Sequence, residues 1–322
     1  MSDIRNLKNI MSGYGKSRVL FTANNLRVFD YLKKPKSAKA LAAKLDTDLR
    51  ATTILLDALT ALEFLQKDAD FRYVNTPLAA LYLVSSSPLY QGDIISHSDT
   101  LWKNWSGLDE ILKTGKPNRS AHNHNSFIRA MHNLSVLKVK DVIDCIDLSG
   151  VKTAIDIGGG PATYTIELAK RGVETTLFDR PDTIAIAKEY VNKSRRKNIK
   201  YIEGDFTTDP LGGGYDLVFI SQVFHSYSVK ECMGLIRKVK KALNKNGKIA
   251  IQEFIIEDNM ASPLDGAMFS VNMLVNSEHG RSYTVKEMDL WLNKCGFTAI
   301  SITHVNEAVV MCARLTDQTL DF

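Results

Sequence analysis

Two sets of residues in this chain have the types and spacing for chemistry. The first is the turn Asp156-Ile157-Gly158-Gly159-Gly160-Pro161-Ala162, set between the apolar run Thr153-Ala154-Ile155 and a helix-like stretch from Thr163 to Arg171. A strand that enters a glycine-rich turn and leaves as a helix opens a nucleotide-binding α/β sheet. Without a Cβ the backbone comes close to a ligand, and positive φ costs little. Asp179 ends the next apolar run, Thr175-Thr176-Leu177-Phe178, where a carboxylate takes both hydroxyls of a ribose. Thr163 replaces the third glycine of G-x-G-x-x-G, and Asp156 places negative charge where a pyrophosphate would be repelled. A nucleoside carrying a cation, such as the sulfonium S-adenosylmethionine (SAM), suits this turn better than NAD. The second set is His225 with Glu253. Phe224-His225-Ser226-Tyr227 follows a strand-like run directly, at the edge where open α/β sheets place ligands, and Glu253 sits in the following strand. A base plus a carboxylate that orients it is what proton abstraction needs. The same spacing also fits two satisfied polar residues, so both readings stand at this stage.

The elements that must position these residues follow from hydrophobic pattern. Strands are expected at 153–157, 174–178, 199–202, 216–220, 248–255, 297–304 and 308–313, with helices between them. Val305-Asn306-Glu307 is too short for a crossover helix, so the last two strands pair antiparallel. The first third reads as helical: an amphipathic stretch from Leu20 to Leu32, a helix capped by Ser37 through Leu45, and another from Leu49 to Leu65 capped at Asp46-Thr47-Asp48. Phe64-Leu65-Gln66 and Phe71-Arg72-Tyr73-Val74 flank a polar turn and predict a small hairpin. Three helices and a wing make a winged helix. Its recognition position, however, carries Ile54, Leu55, Leu56, Leu59 and Leu62, an apolar surface suited to a core or a second subunit rather than a DNA groove. Phe127 to Ile146 reads as one helix with Phe127, Met131, Leu134 and Leu137 in helical period.

Length and composition bound the rest. A chain of 322 residues accommodates two domains, with 44% hydrophobic and 24% charged residues and a net charge of +5 that is not gathered in a tail. Cys145, Cys232, Cys295 and Cys312 form no C-x-x-C pair, which points to reduced thiols rather than disulfides or zinc. His122 and His124 lack a nearby third ligand, so no metal is expected. Neither a signal peptide nor a membrane span is visible, and the expected location is cytoplasmic.

The ordered segments Asp156–Gly160, Phe178-Asp179-Arg180-Pro181, Glu203-Gly204-Asp205-Phe206, the His225 segment, Gly247-Lys248-Ile249 to Glu253, and Gly280-Arg281-Ser282-Tyr283-Thr284 carry a resemblance. The chain resembles the SAM-dependent O-methyltransferases related to caffeate, hydroxyindole and bacterial antibiotic methyltransferases, from about Leu20 to Leu315. The resemblance implies a winged-helix dimerisation domain over 1–115 and a catalytic domain over 116–322. The latter would be a class I SAM-methyltransferase of α/β, Rossmann-like type, its seven-stranded sheet mostly parallel with an antiparallel last strand. It further implies that Asp156, Gly158 and Gly160 belong to the SAM site, that Asp179 holds the ribose, and that Asp205 and Phe206 bracket the adenine. Ser221, where the family commonly has lysine, counts with these cofactor-binding residues. His225 matches the family's base and Glu253 the carboxylate that orients it. Phe127, Met131, Met268, Asn272 and Met273 match positions that border the acceptor pocket. The family's His-Asp-Trp reads His225-Ser226-Tyr227 here, and a second carboxylate beside the base falls at Ser282.

Methyl transfer from a sulfonium is an in-line displacement that rewards positioning and a dry pocket. A phenol titrates near ~10 and imidazole near ~6.5, so complete prior proton transfer would cost roughly 5 kcal/mol. The expected activity is O-methylation of a small hydroxylated aromatic molecule by a homodimer, with no nucleic-acid or membrane partner. Carbon or nitrogen methylation on the same fold, and a winged-helix regulator that senses SAM, are the other two readings.

Overall fold

The computed structural model describes residues 4–119 and 123–316; His122 lies outside them. Packing divides the chain into two compact units, Met1–Trp102 and Lys103–Phe322. Each is described by itself.

The first unit holds α1 (Ile4–Asn25), α2 (Val28–Tyr31), β1 (Lys36–Ser37), α3 (Ala38–Leu45), α4 (Leu49–Ala61), β2 (Leu65–Lys67), β3 (Arg72–Asn75) and α5 (Pro77–Tyr82), with α6 (Gly92–Trp105) beginning in it. Ser37 caps α3 by accepting from the Ala40 amide, and Asp48 caps α4 by accepting from Ala51 at 2.7 Å. The wing is the antiparallel sheet β1-β3-β2. Val28, Phe29, Leu32, Leu41, Leu56, Leu59 and Tyr73 form the core. The expected single stretch over 20–32 is two helices, because Arg27 turns left-handed at φ 55°. There the Asn24 amide bonds Gly92 O and Ser96 Oγ, fixing the chain where helix would otherwise continue. The helix also begins well before Leu20, and Leu65 belongs to the wing rather than to α4.

The second unit continues with α7 (Leu108–Thr114), α8 (His124–Val136), α9 (Val139–Asp144), β4 (Thr153–Ile157), α10 (Thr163–Lys170), β5 (Glu174–Asp179), α11 (Pro181–Ser194), β6 (Ile199–Glu203), β7 (Tyr215–Ser221), α12 (Val229–Ala242), β8 (Leu243–Phe254), α13 (Leu264–Asn276), α14 (Val285–Lys294), β9 (Phe297–Val305) and β10 (Ala308–Leu315). Its sheet runs β6-β5-β4-β7-β8-β10-β9. The pairs from β6 through β8 are parallel, and β10 lies antiparallel to both neighbours. Successive side chains of a strand point to opposite faces. Thus Val218 and Ile220 join Leu235, Ile236 and Trp291 on one face, while Leu217 and Phe219 join Tyr164 and Leu168 on the other. A sheet covered on both faces explains why these strands read as near-continuous apolar runs.

All seven expected strands form. The single helix expected over 127–146 divides at Leu137-Lys138, where Lys138 leaves helical geometry at φ −132°. No glycine or proline marks that break. Instead Lys138 turns inward to stand over the Phe254 ring.

Candidate functional site

Gly158 and Gly160 hold φ of 66° and 55° between β4 and α10, left-handed values that a Cβ would strain. The Gly158 amide donates to Phe178 O at 2.8 Å, fastening the turn to the neighbouring strand. Gly159 serves packing: a Cβ there would stand 2.5 Å from both Asp156 Oδ2 and Leu177 Cδ1. Asp156 lies 1% exposed beneath the turn and accepts the Thr165 hydroxyl at 2.6 Å. Its Oδ1 has no partner among the described residues. Burial, with a smaller contribution from the Asp179 charge, pushes its pKa up to about 7 against the Thr165 bond. Asp156 is therefore a floor under the glycines and does not border the space above them.

That space is a cavity of ≈ 340 Å³, within the about 300–1,000 Å³ of small-molecule sites. Gly158, Gly160, Asp179, Asp205, Phe206 and Ser221 all border it, as do Phe127 and Met131. Asp179 Oδ2 accepts the Gly160 amide at 2.9 Å and Oδ1 the Arg180 amide at 2.8 Å. Burial raises its pKa against those bonds and a hydrogen bond from Thr183, and the carboxylate, with about four lone-pair sites, retains acceptor capacity for a hydroxyl. Asp205 Oδ1 accepts the hydroxyl and amide of Thr207, which lower its pKa. Phe206 sits edge-on to Tyr227 at 5.4 Å, and Lys238 Nζ donates to its carbonyl at 2.8 Å. Ser221 Oγ donates to Gln252 Oε1 at 2.5 Å.

One face of α8 closes the cavity through Phe127, Met131 and Ser135, spaced at i, i+4 and i+8. The helix is clamped over the turn by His132, whose Nδ1 lies 2.8 Å from Thr163 Oγ1 and whose ring packs on Tyr190. Burial, then Lys193, brings the His132 pKa down to about 4, so the ring is neutral there. His124 Nε2 is 3.2 Å from Thr183 Oγ1 and 3.3 Å from Asp182 Oδ2, and Arg129 pairs with Glu189 at 2.8 Å.

His225 follows β7 on a single 3₁₀ turn, Phe224–Ser226. Ser221 stands opposite Gln252 in the β7–β8 register, so Glu253 comes at the carboxyl edge beside that turn. His225 Nδ1 is 2.8 Å from Glu253 Oε2, and the His225 amide reaches Oε1 at 3.4 Å. The residues are 9% and 3% exposed. An ionised carboxylate only accepts, which assigns the ring proton to Nδ1 and leaves the Nε2 lone pair available. Phe269 meets the imidazole edge-on at 4.8 Å, Phe254 lies 5.9 Å away, and the two phenyl rings stack on each other at 3.9 Å. His225 itself does not border the cavity, but its neighbours Val223, Ser226 and Tyr227 do.

Met268, Asn272 and Met273 do not border the cavity. Met268 is 46% exposed and Met273 is buried, while Asn272 Oδ1 is taken by Trp105 Nε1 at 3.2 Å and Asn276 Nδ2 at 3.0 Å. The helix presents Phe269 instead, one residue and about 100° round from Met268. Ser282 gives its hydroxyl to Gly266 O at 2.9 Å and so anchors α13. Sequence reasoning missed Phe269, Tyr164, Ser135 and Gln252. Only Ser135 carried a signal, as the next position on the Phe127–Met131 face.

Residues 92–298 match the O-methyltransferase domain family and residues 8–85 the O-methyltransferase dimerisation domain family. The chain is 29% identical over 310 residues to the 3-hydroxy-5-methyl-1-naphthoate 3-O-methyltransferase of Streptomyces sahachiroi, covering 91% of this chain and 89% of that one. It is 30% identical over 319 residues to the acetylserotonin O-methyltransferase of Bos taurus, covering 90% and 91%. The crystal structure of human N-acetylserotonin methyltransferase in complex with SAM superposes with a TM-score of 0.91 at 25% identity, over 98% of each chain.

Proposed function

The chain belongs to the SAM-dependent O-methyltransferase family, and from that premise we propose that it methylates a hydroxyl on a small aromatic molecule, with His225 as general base and Glu253 as its orienting partner. The observation that carries this reading is the 2.8 Å His225–Glu253 contact at the sheet edge beside the glycine-turn cavity. Relatives named for a hydroxynaphthoate and for acetylserotonin support a hydroxylated aromatic acceptor.

The residues fit SAM. The cavity has the volume, Asp179 borders it with remaining acceptor capacity, and Gly160 leaves open space where a Cβ would stand. Gly158 and Gly160 hold the methionine part, Asp179 the ribose, Asp205 and Phe206 the adenine, and Ser221 stays fixed to Gln252 alongside. Bound there, SAM supplies an electrophilic methyl group on a positively charged sulfur. The protein aligns and drains the site: Phe127 and Met131 form an apolar wall, and Phe269 rather than Met268 faces the acceptor from α13. Nε2 of His225 takes the hydroxyl proton as the oxygen attacks, and Glu253 stabilises the imidazolium that results. No second carboxylate helps, since Ser282 is committed to Gly266.

Exposed Ile4, Leu7, Ile10, Met11 and Tyr14 recur along one stretch of α1, and with the dimerisation-domain match they support a homodimer. No helix among the described residues is long and apolar enough to cross a membrane. Incubation with labelled SAM and a panel of phenols tests the reading: methyl ether products that require His225 are expected. Products methylated only at carbon or nitrogen would overturn it.

A further inference from the structure

The cavity-facing side of α8 runs through Phe127, Met131 and Ser135 and continues to Lys138, three residues on, where the chain leaves the helix. Lys138 is half-buried. Its Nζ stands 5.7 Å from the centroid of the Phe254 ring, and the His225 ring is 5.9 Å from the same phenyl. The base and the ammonium thus both neighbour one aromatic side chain. An ammonium has three donors and no acceptor, yet among the described residues the Lys138 Nζ makes no hydrogen bond or ion pair. Glu253 and Glu307 are near enough to favour its charged form without pairing with it, and burial pulls its pKa below the usual lysine value. Glu253 is already engaged by His225. A half-buried cation with unused donors is costly unless a ligand supplies acceptors.

We propose that Lys138 binds a carboxylate on the acceptor, so that the substrate class is a hydroxylated aromatic acid whose hydroxyl meets His225. The proposal rests on the acceptor site lying at His225. The cation–π contact holds the ammonium over the Phe254 ring, which itself packs on Phe269. Charge-assisted hydrogen bonds then favour an anionic oxygen over an ester or amide of the same shape. With Lys138 removed, Glu253 and Glu307 remain near its position and repel an acid.

The test is binding rather than turnover. 3-Hydroxybenzoate and 3-hydroxy-2-naphthoate, each beside its methyl ester, are titrated calorimetrically into protein saturated with S-adenosylhomocysteine. At least one acid should bind the wild type more tightly than its ester by about 10- to 100-fold, the range of one charge-assisted hydrogen bond. Lys138→Met should abolish that preference while keeping affinity for S-adenosylhomocysteine, and Lys138→Arg should retain most of it. A wild type that binds neither acid better than its ester overturns the proposal without any variant having to fold. A Lys138→Met protein that loses acid and ester alike also overturns it and makes the lysine a structural counter-charge to Glu253 and Glu307. His225→Ala should keep the acid preference, so failure of the base assignment shows separately as a loss of turnover.

Discussion

The two halves of the site are built differently. The proposed cofactor side is built largely from backbone and short side chains at successive strand ends: the turn Gly158–Gly160 after β4, Asp179 at the end of β5, Asp205 after β6 and Ser221 at the end of β7, around an open cavity. The proposed acceptor side is side chains from four separated segments, with Lys138 after α8, His225 after β7, Glu253 and Phe254 from β8, and Phe269 from α13. Its rings already pack against one another. A pocket made of backbone is ready before the ligand arrives, whereas a pocket made of rotamers is shaped by what fills it. The first arrangement fixes one cofactor, and the second allows acceptors to differ between relatives that share the fold.

The sharpest way to break this comparison is to remove the base alone. His225→Ala should lower turnover by about 10²–10⁴-fold, the usual loss for a general base, with SAM affinity unchanged because His225 does not border the cofactor cavity. Rapid-quench assays beside calorimetry measure the two separately. If SAM affinity falls with turnover, the halves are one unit and the contrast fails.

Asp156 probes the cofactor side through stability. Its pKa is raised to about 7 by burial, above the ordinary carboxylate value, so the folded state holds a proton that the unfolded chain releases. The contribution is full below about pH 4, falls as pH rises through about 7, and amounts to as much as ~4 kcal/mol at ~1.36 kcal/mol per unit. Asp156→Asn removes that ionisation and keeps an oxygen for Thr165, so its melting temperature should change less between pH 5 and pH 8 than that of the wild type. Parallel pH profiles for the two proteins would rule out a proton held beneath the turn.

Asp179→Ala comes next. It deletes the partner of the Gly160 and Arg180 amides along with the proposed ribose acceptors, so SAM affinity should weaken by about 10- to 100-fold, the worth of one or more charge-assisted hydrogen bonds. Acceptor binding to protein saturated with S-adenosylhomocysteine should be unaltered once saturation is restored.

What could be read beforehand follows the same division. The seven strands and the cofactor turn were legible because each is local: an apolar run, a glycine where φ must be positive, a carboxylate at a strand end. Asp156 was expected among the ligand-facing residues because its place in the motif is visible and its burial is not. Met268 was expected where Phe269 stands because a one-residue error in helical phase turns a side chain by about 100°. Phe127 and Met131, expected at the acceptor pocket, share one helix face on the glycine-turn cavity, since the i, i+4 spacing survives whatever the helix packs on. Lys138 gave no signal. A lysine after an amphipathic helix ordinarily faces water, and only the fold brings Phe254 beneath it.

Glu253→Gln should give the smallest effect and the finest discrimination. Glutamine keeps the length of the side chain and an oxygen that accepts from Nδ1, so the imidazole stays oriented, but it has no charge to stabilise the imidazolium formed as the acceptor is deprotonated. Its amide can also turn to donate to Nδ1, which drives the proton to Nε2 and disables that fraction of molecules as base. Turnover should fall by about 10-fold, less than for His225→Ala, with KM for SAM unchanged. In the double variant the Glu253 change should add almost nothing, since a partner acting through the base has no separate effect once the base is gone. Additive losses in that double-mutant cycle would mean that Glu253 shapes the acceptor pocket directly, and the buried pair would then be two independent parts of the acceptor side.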